Sequence, residues 1–451
     1  MKYKYNKYKR VIASRLIILF IAVIFQLFWI IEILSLLSSP HAIGLNIALH
    51  ILAFLFVLYV ASQRNESSYK ILWLIIILTL PVFGTIMYLL WGDKKTSKPL
   101  DVRLKKSKKT IPITLKQDNK IYEEIKKDDA HLAQNFAYIE RKTGFPVYRN
   151  ENTEYYPIGE KMYESILKEL EKAKKFIYIE SFIIAEGKFW NSMLEIMERK
   201  AKQGVNIRII YDDFGSLTTL PRKYSYILSK KGIKCIEFNP IKLFLSGTLN
   251  CRDHRKILII DGITAFSGGI NFADEYINEY EKYGHWKDVG FKTTGKVVQS
   301  YTYMFIEFWN AFSKDKISKN IVEENKNESK SNGYIQAFYD SPTNPDAISN
   351  DLYTDLLSQA TEYAWFCTPY LALGDNLKES FIRAAKRGVD VRIYMPGIPD
   401  KPVIYRLSRS YYGQLLSAGV KIYEYKPGFL HSKTVLIDDE ISTLRFCKFR
   451  F

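Results

Sequence analysis

Three long apolar stretches open the chain, before any regular alternation of strands and helices begins. They cover residues 16–31, 42–61 and 71–91, and the third contains no charged side chain. A helix needs about 20 predominantly apolar residues to cross the hydrocarbon core of a bilayer, so the pattern predicts two or three hydrophobic helices. Residues 1–92 are therefore predicted to form a membrane anchor. A cleaved signal peptide would need only one short apolar region.

Clusters of Lys and Arg flank this anchor on both sides, in residues 1–10 and 92–110. Because basic flanks stay on the cytoplasmic side of a membrane protein, three full crossings would not satisfy both clusters, and the number of crossings is left open. The pattern predicts a multi-pass protein of the cell membrane whose remaining domains are cytoplasmic. The basic run after Trp91 is expected to lie against anionic lipid head groups.

The rest of the chain repeats one pattern twice. The segment AKQGVNIRIIYD (201–212) is echoed by AKRGVDVRIYMP (385–396), and LSKKGIKCIEFNP (228–240) is echoed by LLSAGVKIYEYKP (415–427). In each copy, short β-branched runs alternate with segments of helical apolar spacing. The pattern predicts a duplicated domain of the α/β class, with a largely parallel or mixed sheet in each half.

Polar segments separate these units and set the predicted boundaries. The basic segment 93–140 is predicted as a linker, and the polar stretch 313–333 is predicted as a second linker. The first α/β domain is then expected to cover residues 141–312, and the second is expected to cover residues 334–451.

One eight-residue pattern occurs once in each half, in a chain with only six histidines. HRKILIID begins at His254 and HSKTVLID begins at His431, so each reads His-x-Lys-x-x-x-x-Asp. Because alternate side chains of a strand share a face, each histidine is predicted to project with the lysine two residues later, Lys256 or Lys433. Two such strands brought together would surround one pocket with two imidazoles and two ammonium groups.

This set of groups suits phosphodiester transfer without a metal or cofactor. One neutral imidazole attacks phosphorus, and the other protonates the leaving alcohol and then deprotonates the incoming one. The lysines hold the non-bridging oxygens. Asp261 and Asp438, which end the two motifs, are predicted to orient the site through hydrogen bonds, although Asp is also favoured in turns. Trp286 and Asp288 could shape the same pocket, but a Trp near a domain core more often packs.

Charge and cysteine content narrow the possible partners. Lys and Arg number 65 against 48 Asp and Glu, giving a formal net charge of +17, which favours nucleic acid or an anionic lipid surface. A hydrophobic share of 47% excludes a disordered chain. The four cysteines have neither a C-x-x-C pair nor zinc-like spacing, and we interpret them as thiols in a reducing compartment.

These residues resemble the phospholipase D superfamily and, within it, bacterial cardiolipin synthases. The segment NCRDHRKILIIDGITAFSGGINFADEYIN (250–278) is similar to the first signature of that family, and GHWKDVGF (284–291) is similar to its Trp-basic-Asp segment. Residues 367–401 and 408–439 resemble its second half, and residues 67–92 resemble its membrane segment. The resemblance implies two tandem phospholipase D-like α/β domains, packed as a pseudo-dimer and preceded by N-terminal transmembrane helices.

The resemblance also implies a reaction, in which a phosphatidyl group passes from one phosphatidylglycerol to a second, giving cardiolipin and glycerol. It implies that His254 is the nucleophile and His431 the general acid and base, an order that the residues alone leave open. Asn271 would donate a hydrogen bond to the phosphate, and Lys256 and Lys433 would hold its oxygens. The implied partners are phosphatidylglycerol and anionic membrane lipid, not nucleic acid. The oligomeric state is left open.

The second copy departs from the family pattern after Thr443. The first copy continues beyond its motif with Gly268, Gly269 and Asn271, whereas the second continues with LRFCKFRF (444–451). A shift of reading frame would account for the difference. We therefore expect a C-terminally truncated second domain and a chain of weak or absent activity.

Three alternative functions stay open on the sequence alone. A hydrolase of the same superfamily, acting on lipid or on nucleic acid, would carry the same motifs, although a membrane anchor disfavours the nuclease. A related transferase would pass the phosphatidyl group to another alcohol, such as ethanolamine or serine. A catalytically impaired, truncated membrane protein would keep only the fold.

Overall fold

The computed structural model divides the chain into two units. The residues that it describes are 40–63, 67–92, 98–110, 115–240, 252–318, 333–340 and 347–444, with Ile24 and Ile321 as isolated positions. The first unit contains the N-terminal helices up to Lys98, and the second contains residues 99–240 and the chain from Arg252 onward. Apart from Ile24, the predictions for residues 16–31 lie outside the described residues, as do those for residues 445–451.

Three helices make up the described part of the first unit. They are α1 (Pro40–Ser62), α2 (Ser67–Thr79) and α3 (Pro81–Met87), followed by a π-helical turn over Tyr88–Gly92. Trp73 and Tyr88 lie in their common core, with their rings edge to face. Large apolar side chains on the outside, including Ile51 and Ile75, are more than half exposed. Among these described helices none is both long and apolar enough to cross a membrane, so the transmembrane helices stay a prediction.

The apolar stretch 71–91 is not one continuous helix. The helix ends at Thr79, Leu80 leaves helical geometry with φ −132° and ψ 77°, and Pro81 begins the next helix. Pro lacks an amide hydrogen, and its ring disfavours helical geometry in the residue before it. The prediction of a single crossing helix through this stretch is therefore wrong.

Residues 93–140, predicted as a linker, are mostly helical where the structure describes them. The helices are α4 (Lys98–Thr110), α5 (Asn119–Asp128) and α6 (Ala130–Thr143). The carboxylate of Asp129 caps α6 by accepting from the amides of His131 and Leu132. The Tyr138 hydroxyl donates to Asp351 at 2.6 Å. This contact ties α6 to the second half of the repeat, so the segment is part of the folded unit.

The first half of the repeat is built on one seven-stranded sheet. Its strands are β1 (Tyr148–Arg149), β2 (Asn152–Tyr156), β3 (Phe176–Ser181), β4 (Asn206–Asp212), β5 (Lys234–Phe238), β6 (Ile257–Ile260), β7 (Thr264–Gly268), β8 (His285–Lys287) and β9 (Gly290–Thr294). Its helices are α7 (Gly159–Lys172), α8 (Lys188–Lys202), α9 (Tyr224–Lys230) and α10 (Val297–Phe312). The sheet order is β2-β9-β7-β6-β3-β4-β5, with β1 and β8 outside it.

The second half is built on a five-stranded sheet. Its strands are β10 (Tyr334–Ile335), β11 (Tyr363–Cys367), β12 (Asp390–Pro396), β13 (Lys421–Tyr425), β14 (Gly428–Leu430), β15 (Thr434–Ile437) and β16 (Ile441–Leu444). Its helices are α11 (Ile348–Gln359), α12 (Asp375–Lys386), α13 (Pro402–Ser410) and α14 (Tyr412–Ser417). The sheet order is β13-β12-β11-β15-β16, with β10 and β14 outside it.

The two sheets share one topology, which confirms the predicted duplication. The order β5-β4-β3-β6-β7 in the first half matches β13-β12-β11-β15-β16 in the second. In each half the three strands that alternate with helices are parallel, and the two strands after the motif are antiparallel. Both sheets are therefore mixed. The His and Lys of each motif lie immediately before β6 or β15, not within the strands as predicted.

A short parallel ladder joins the two halves beside these motifs. Strand β14 pairs with β8, with Gly428 opposite His285, Phe429 opposite Trp286 and Leu430 opposite Lys287. A Cβ atom on Gly428 would lie 2.2 Å from the carbonyl oxygen of His285. Glycine is therefore required for this close approach of the two backbones.

We expect Gly428→Ala to weaken the junction, because the added methyl group forces the two strands apart. Overpacking of this kind costs about 1–3 kcal/mol, so the midpoint of thermal unfolding should fall. Gly413→Ala is the matched control, because no atom lies within 4 Å of a Cβ added there and alanine is the better helix former. Equal midpoints for the two variants would contradict this role of the junction.

Candidate active site

The junction strand β14 leads directly into the second motif and continues its pairing with the first half. The amide of His431 donates to the carbonyl oxygen of Lys287 at 2.8 Å. One residue beyond Lys287, the buried carboxylate of Asp288 lies 2.5 Å from Nδ1 of His431. Gly269 leaves room for this carboxylate, because a Cβ atom there would lie 2.0 Å from Oδ1 of Asp288. The backbone register thus positions an acid of one half on the histidine of the other.

The charges around His431 hold its imidazole neutral. The pKa of His431 is lowered to about 3, chiefly by burial and then by the ammonium groups of Lys433 and Lys256, against the opposing charge of Asp288. Burial alone would raise the pKa of Asp288, but His431 and Lys433 more than offset this, so the carboxyl stays ionised. A neutral ring that donates Nδ1–H to Asp288 leaves Nε2 with a lone pair for chemistry.

The two lysines of the motifs occupy equivalent positions. Nζ of Lys256 donates to the carbonyl oxygen of His254 at 2.7 Å and lies 3.3 Å from its Nδ1. Nζ of Lys433 donates to the carbonyl oxygen of His431 at 2.6 Å and lies 3.2 Å from both ring nitrogens. Both lysines are buried. Each histidine therefore projects with its own lysine, as the sequence predicts.

The charge of Lys256 in the first half lowers the pKa of His431 in the second, which agrees with the predicted convergence of the two motifs. Aromatic rings pack against both histidines. The ring of Phe182 lies 4.7 Å from that of His254 between centroids, and three rings lie 5.4–5.6 Å from that of His431. Those three rings belong to Tyr276, Trp286 and Phe429. Each His-Lys pair is thus buried positive charge beside aromatic side chains.

Buried ion pairs fix the segment that carries His254. The neighbouring residue Arg255 points away from the site, where its Nε lies 2.6 Å from Glu180 and 3.1 Å from Asp253. Burial raises the pKa of Glu180, against the lowering effect of Arg255. Removing one partner of a buried pair is costly, so these contacts hold the segment in place. Among the described residues, no three or more His, Cys, Asp or Glu side chains are arranged to hold a metal ion.

The aspartates that end the motifs bind backbone amides of a neighbouring segment. The carboxylate of Asp261 accepts from the amides of Lys174, Lys175 and Phe176, immediately before and at the start of β3. The carboxylate of Asp438 accepts in the same way from the amides of residues 361–363. Both lie at the end of the strand farthest from the histidine. We therefore assign Asp261 and Asp438 to holding the sheet together rather than to catalysis, which corrects the prediction that they orient the site.

Asn271 is buried beside the site, but both ends of its amide bind protein groups. Its Oδ1 accepts from the amide of Ile183 at 3.1 Å, and its Nδ2 donates to the hydroxyl of Tyr276 at 2.6 Å. Because the Tyr276 ring packs against His431, Asn271 positions the wall of the pocket. Its hydrogen bond to phosphate stays a prediction.

Two residues matter more than the sequence suggested. For Asp288 the sequence predicts only that it could shape the pocket, although the segment GHWKDVGF that contains it is part of the family resemblance. Phe182, which packs on His254 and whose ring centroid is 5.5 Å from Nζ of Lys256, carried no local signal. Its position after β3 becomes informative only once the two halves are aligned.

The fold and the site together define a class of protein. A duplicated α/β scaffold carries one buried His-Lys pair in each half, and a buried carboxylate of the first half binds the neutral imidazole of the second. That arrangement is suited to transfer of a phosphodiester through histidine.

Comparisons with known proteins identify the family within this class. The family described as "Cardiolipin synthase, PLD-like domain" matches residues 166–309 and 353–444, and the one described as "Phospholipase_D-nuclease N-terminal" matches residues 48–92. Cardiolipin synthase 2 of Bacillus anthracis is 31% identical over 394 residues, covering 87% of this chain and 76% of its own. Cardiolipin synthase of Alkalihalophilus pseudofirmus is 30% identical over 385 residues, covering 85% and 76%. An uncharacterized protein of Streptococcus mutans serotype c is 42% identical over 383 residues, covering 85% and 83%.

The chain therefore belongs to the cardiolipin synthase family of the phospholipase D superfamily, a family of phosphatidyltransferases. This confirms the resemblance found in the sequence.

We expect Asp288→Asn to slow phosphatidyl transfer by at least about 100-fold, the lower range for general acid–base catalysis. The amide cannot balance a positive imidazole, and it no longer selects the Nδ1–H tautomer. The measurement is the release of the head-group alcohol from a labelled phospholipid, with Asp375→Asn on the exposed first turn of α12 as the control. A variant within about threefold of the unmodified protein would contradict a role for this carboxylate.

Proposed function

We propose that this protein is a membrane-bound cardiolipin synthase. It transfers the phosphatidyl group of one phosphatidylglycerol to a hydroxyl of a second, and releases glycerol. The observation that carries the proposal is the neutral His431 on buried Asp288, placed with Lys256 and Lys433 in one pocket. The names of the family relatives support this choice of substrate.

In the first step His254 acts as the nucleophile. Its imidazole nitrogen forms a bond to phosphorus while the bond from phosphorus to the glycerol oxygen breaks. His431, as imidazolium, gives its proton to that oxygen, so glycerol leaves as a neutral alcohol. In the second step the hydroxyl of another phosphatidylglycerol gives its proton to His431 as its oxygen attacks phosphorus. The bond from phosphorus to His254 then breaks, and cardiolipin is complete.

The bound phosphodiester itself makes the proton transfer possible. Burial, together with the cations Lys433 and Lys256, keeps the pKa of His431 low. A phosphodiester anion held by both ammonium groups offsets their charge, so that the charge of Asp288 then favours the imidazolium. The lysines also oppose the negative charge that develops on the non-bridging oxygens in the transition state.

We propose that the protein acts at the cell membrane, with its catalytic domains in the cytoplasm and anionic lipid as a partner. The exposed apolar side chains of α1 and α2 support insertion of the first unit. Helix α4 supports contact with anionic lipid, because Arg103, Lys105, Lys106 and Lys109 are all exposed along it. On its other side Ser107 is buried and donates to the carbonyl oxygen of Glu307 at 2.7 Å, which fixes the helix to α10.

Activity on labelled phosphatidylglycerol tests the proposed reaction. The unmodified protein should form cardiolipin and glycerol at a low rate, because its second copy departs from the family pattern after Thr443. His254→Ala should form neither, because no phosphorus–nitrogen bond can be made. His131→Ala, which changes an exposed histidine at the start of α6, is the control and should retain activity. Mass spectrometry of protein denatured rapidly at mildly alkaline pH, where the phosphorus–nitrogen bond survives, should find a phosphatidyl adduct on His254.

The same assay separates the rival functions. Phosphatidic acid as the main product would show a hydrolase, and a preference for ethanolamine or serine as acceptor would show another phosphatidyltransferase. Either result would contradict the proposal. A complete absence of product from the unmodified chain would also contradict it, and would favour an impaired protein that keeps only the fold.

Neutralising the exposed cations of α4 tests the lipid surface. Each such cation contributes about 1 kcal/mol near an anionic surface. The variant with Arg103, Lys105, Lys106 and Lys109 changed to Gln should need several-fold more phosphatidylglycerol in neutral-lipid vesicles for half-maximal transfer. Its maximal rate should be unchanged.

The control for this test changes three exposed lysines of α5 to Gln. They are Lys120, Lys126 and Lys127. The α5 variant should behave as the unmodified protein. Equal lipid requirements for the α4 and α5 variants would contradict a specific role of α4.

A further inference from the structure

We propose that Tyr370 and Asp400 form a hydroxyl-binding subsite that selects acceptor alcohols carrying a second, neighbouring hydroxyl group. The inference rests on the proposed phosphatidyl transfer and adds to it the residues that distinguish the glycerol head group from water and simple alcohols. It assigns to these residues a role in specificity and leaves the chemical steps to the histidines.

The pair leaves one hydrogen-bonding position unfilled. The hydroxyl of Tyr370 donates to Oδ2 of Asp400 at 2.5 Å, a short bond of the charge-assisted kind. The other carboxylate oxygen, Oδ1, is buried and accepts no hydrogen bond from the described residues. A buried acceptor without a donor destabilises the protein. A hydroxyl group of a ligand would satisfy it.

The pair lies on the His431 side of the site, where the ring of Tyr370 is 6.5 Å from that of Phe429 and the ring of Phe429 is 5.6 Å from that of His431. The loop that carries Asp400 is bound to β14, because the amides of Gly397 and Ile398 donate to the carbonyl oxygen of Gly428 at 3.2 and 3.1 Å. His431 follows Gly428 by three residues. The charge of Asp400 also reaches the hydroxyl of Tyr276, whose ring is 5.6 Å from that of His431.

Access to Oδ1 requires the same opening that catalysis requires. His431 is 5% exposed and Lys256 is 3% exposed. The proposed transfer brings these groups to the phosphate of a lipid, so it requires the site to open. The subsite requires the same opening to uncover the carboxylate of Asp400, whose rotation about the Cβ–Cγ bond is soft.

The internal repeat shows that this pair belongs to one side of the pocket only. Ser181 donates to the carbonyl oxygen of Ile183 at 2.9 Å, and Thr368 donates to that of Tyr370 at 2.9 Å. Ile183 of the first half is therefore the structural equivalent of Tyr370.

The next residue in each half confirms this equivalence. The amide of Ile184 donates to the hydroxyl of Ser216, and that of Leu371 donates to the hydroxyl of Ser408, both at 3.0 Å. The histidines and lysines are duplicated, but an apolar side chain replaces the phenol in the first half. The two sides of the phosphorus atom thus differ, and the polar side is that of His431.

The carboxylate of Asp400 is suited to accept a hydrogen bond from an uncharged hydroxyl group of the acceptor. The phosphate is drawn to Lys256 and Lys433 and repelled by Asp400, so the pair does not suit a second phosphate oxygen. When the attacking hydroxyl of a glycerol head group gives its proton to His431, its neighbouring hydroxyl can donate to Oδ1 of Asp400. Water and simple alcohols have no second hydroxyl for this bond and gain nothing from it.

A competition between two acceptors of nearly equal size tests the subsite. The full chain in detergent receives labelled phosphatidylglycerol and equal amounts of propylene glycol and propanol, which differ by one hydroxyl. Mass spectrometry gives the ratio of the two phosphatidyl products, which does not depend on how much protein is folded. The unmodified protein should favour propylene glycol, and Asp400→Asn should lower the ratio about tenfold, as expected for a hydrogen bond to a charged group.

Two further variants make the test specific. Tyr370→Phe should lower the ratio by a smaller factor, because it removes the donor that orients the carboxylate, and it keeps the test valid if Asp400→Asn does not fold. Tyr405→Phe on α13 is the control. It should leave the ratio unchanged, since the hydroxyl of Tyr405 donates to Glu424 of β13.

The outcomes separate this inference from the proposed function. An unchanged ratio in both Asp400→Asn and Tyr370→Phe would overturn the subsite, as would an unmodified protein without preference for the diol. Failure to form any phosphatidyl product in the unmodified protein would instead contradict phosphatidyl transfer itself.

Discussion

The site depends on one short ladder between the halves, the pairing of β14 with β8. Its register places Leu430 opposite Lys287, and continuing it by one residue brings His431 to the buried carboxylate of Asp288. Neither half contains this contact by itself. The duplicated fold therefore does more than supply two histidines, because each half also orients groups of the other. Gly428 permits the close approach of the backbones on which that register depends.

The concentration of buried charge in the pocket is costly without substrate. Lys256 and Lys433 are buried near a neutral His431 with the single opposing charge of Asp288 in contact with the ring. A phosphodiester anion compensates this local excess of positive charge, so the repulsion between the cations favours substrate binding. The same cations stabilise the negative charge that develops in the transition state. The capping contacts of Asp261 and Asp438 and the buried pair of Arg255 and Glu180 supply the rigidity that holds these like charges together.

Features that depend on local sequence patterns could be predicted from the sequence. Features that depend on the pairing of strands far apart in the chain could not. Repeated segments and the two His-x-Lys pairs predicted the mixed α/β halves and the convergence of Lys256 with His431. The partner of His431 could not be derived locally, because it depends on the register of strands more than 140 residues apart. The role predicted for Asp261 and Asp438 was wrong, because the motif spacing does not show that their carboxylates accept hydrogen bonds from backbone amides. Pro81 by itself indicates that residues 71–91 are divided between two helices.

Nuclear magnetic resonance of the ring nitrogens of isotope-labelled histidine tests the central claim most directly. Only six histidines contribute, and comparison with His431→Asn assigns the signal of interest. The structure predicts that His431 remains neutral and protonated on Nδ1 at about pH 5, where an ordinary histidine is charged, and that Asp288→Asn abolishes this pattern. A His431 signal that titrates with an ordinary pKa, or that shows the proton on Nε2, would contradict the account.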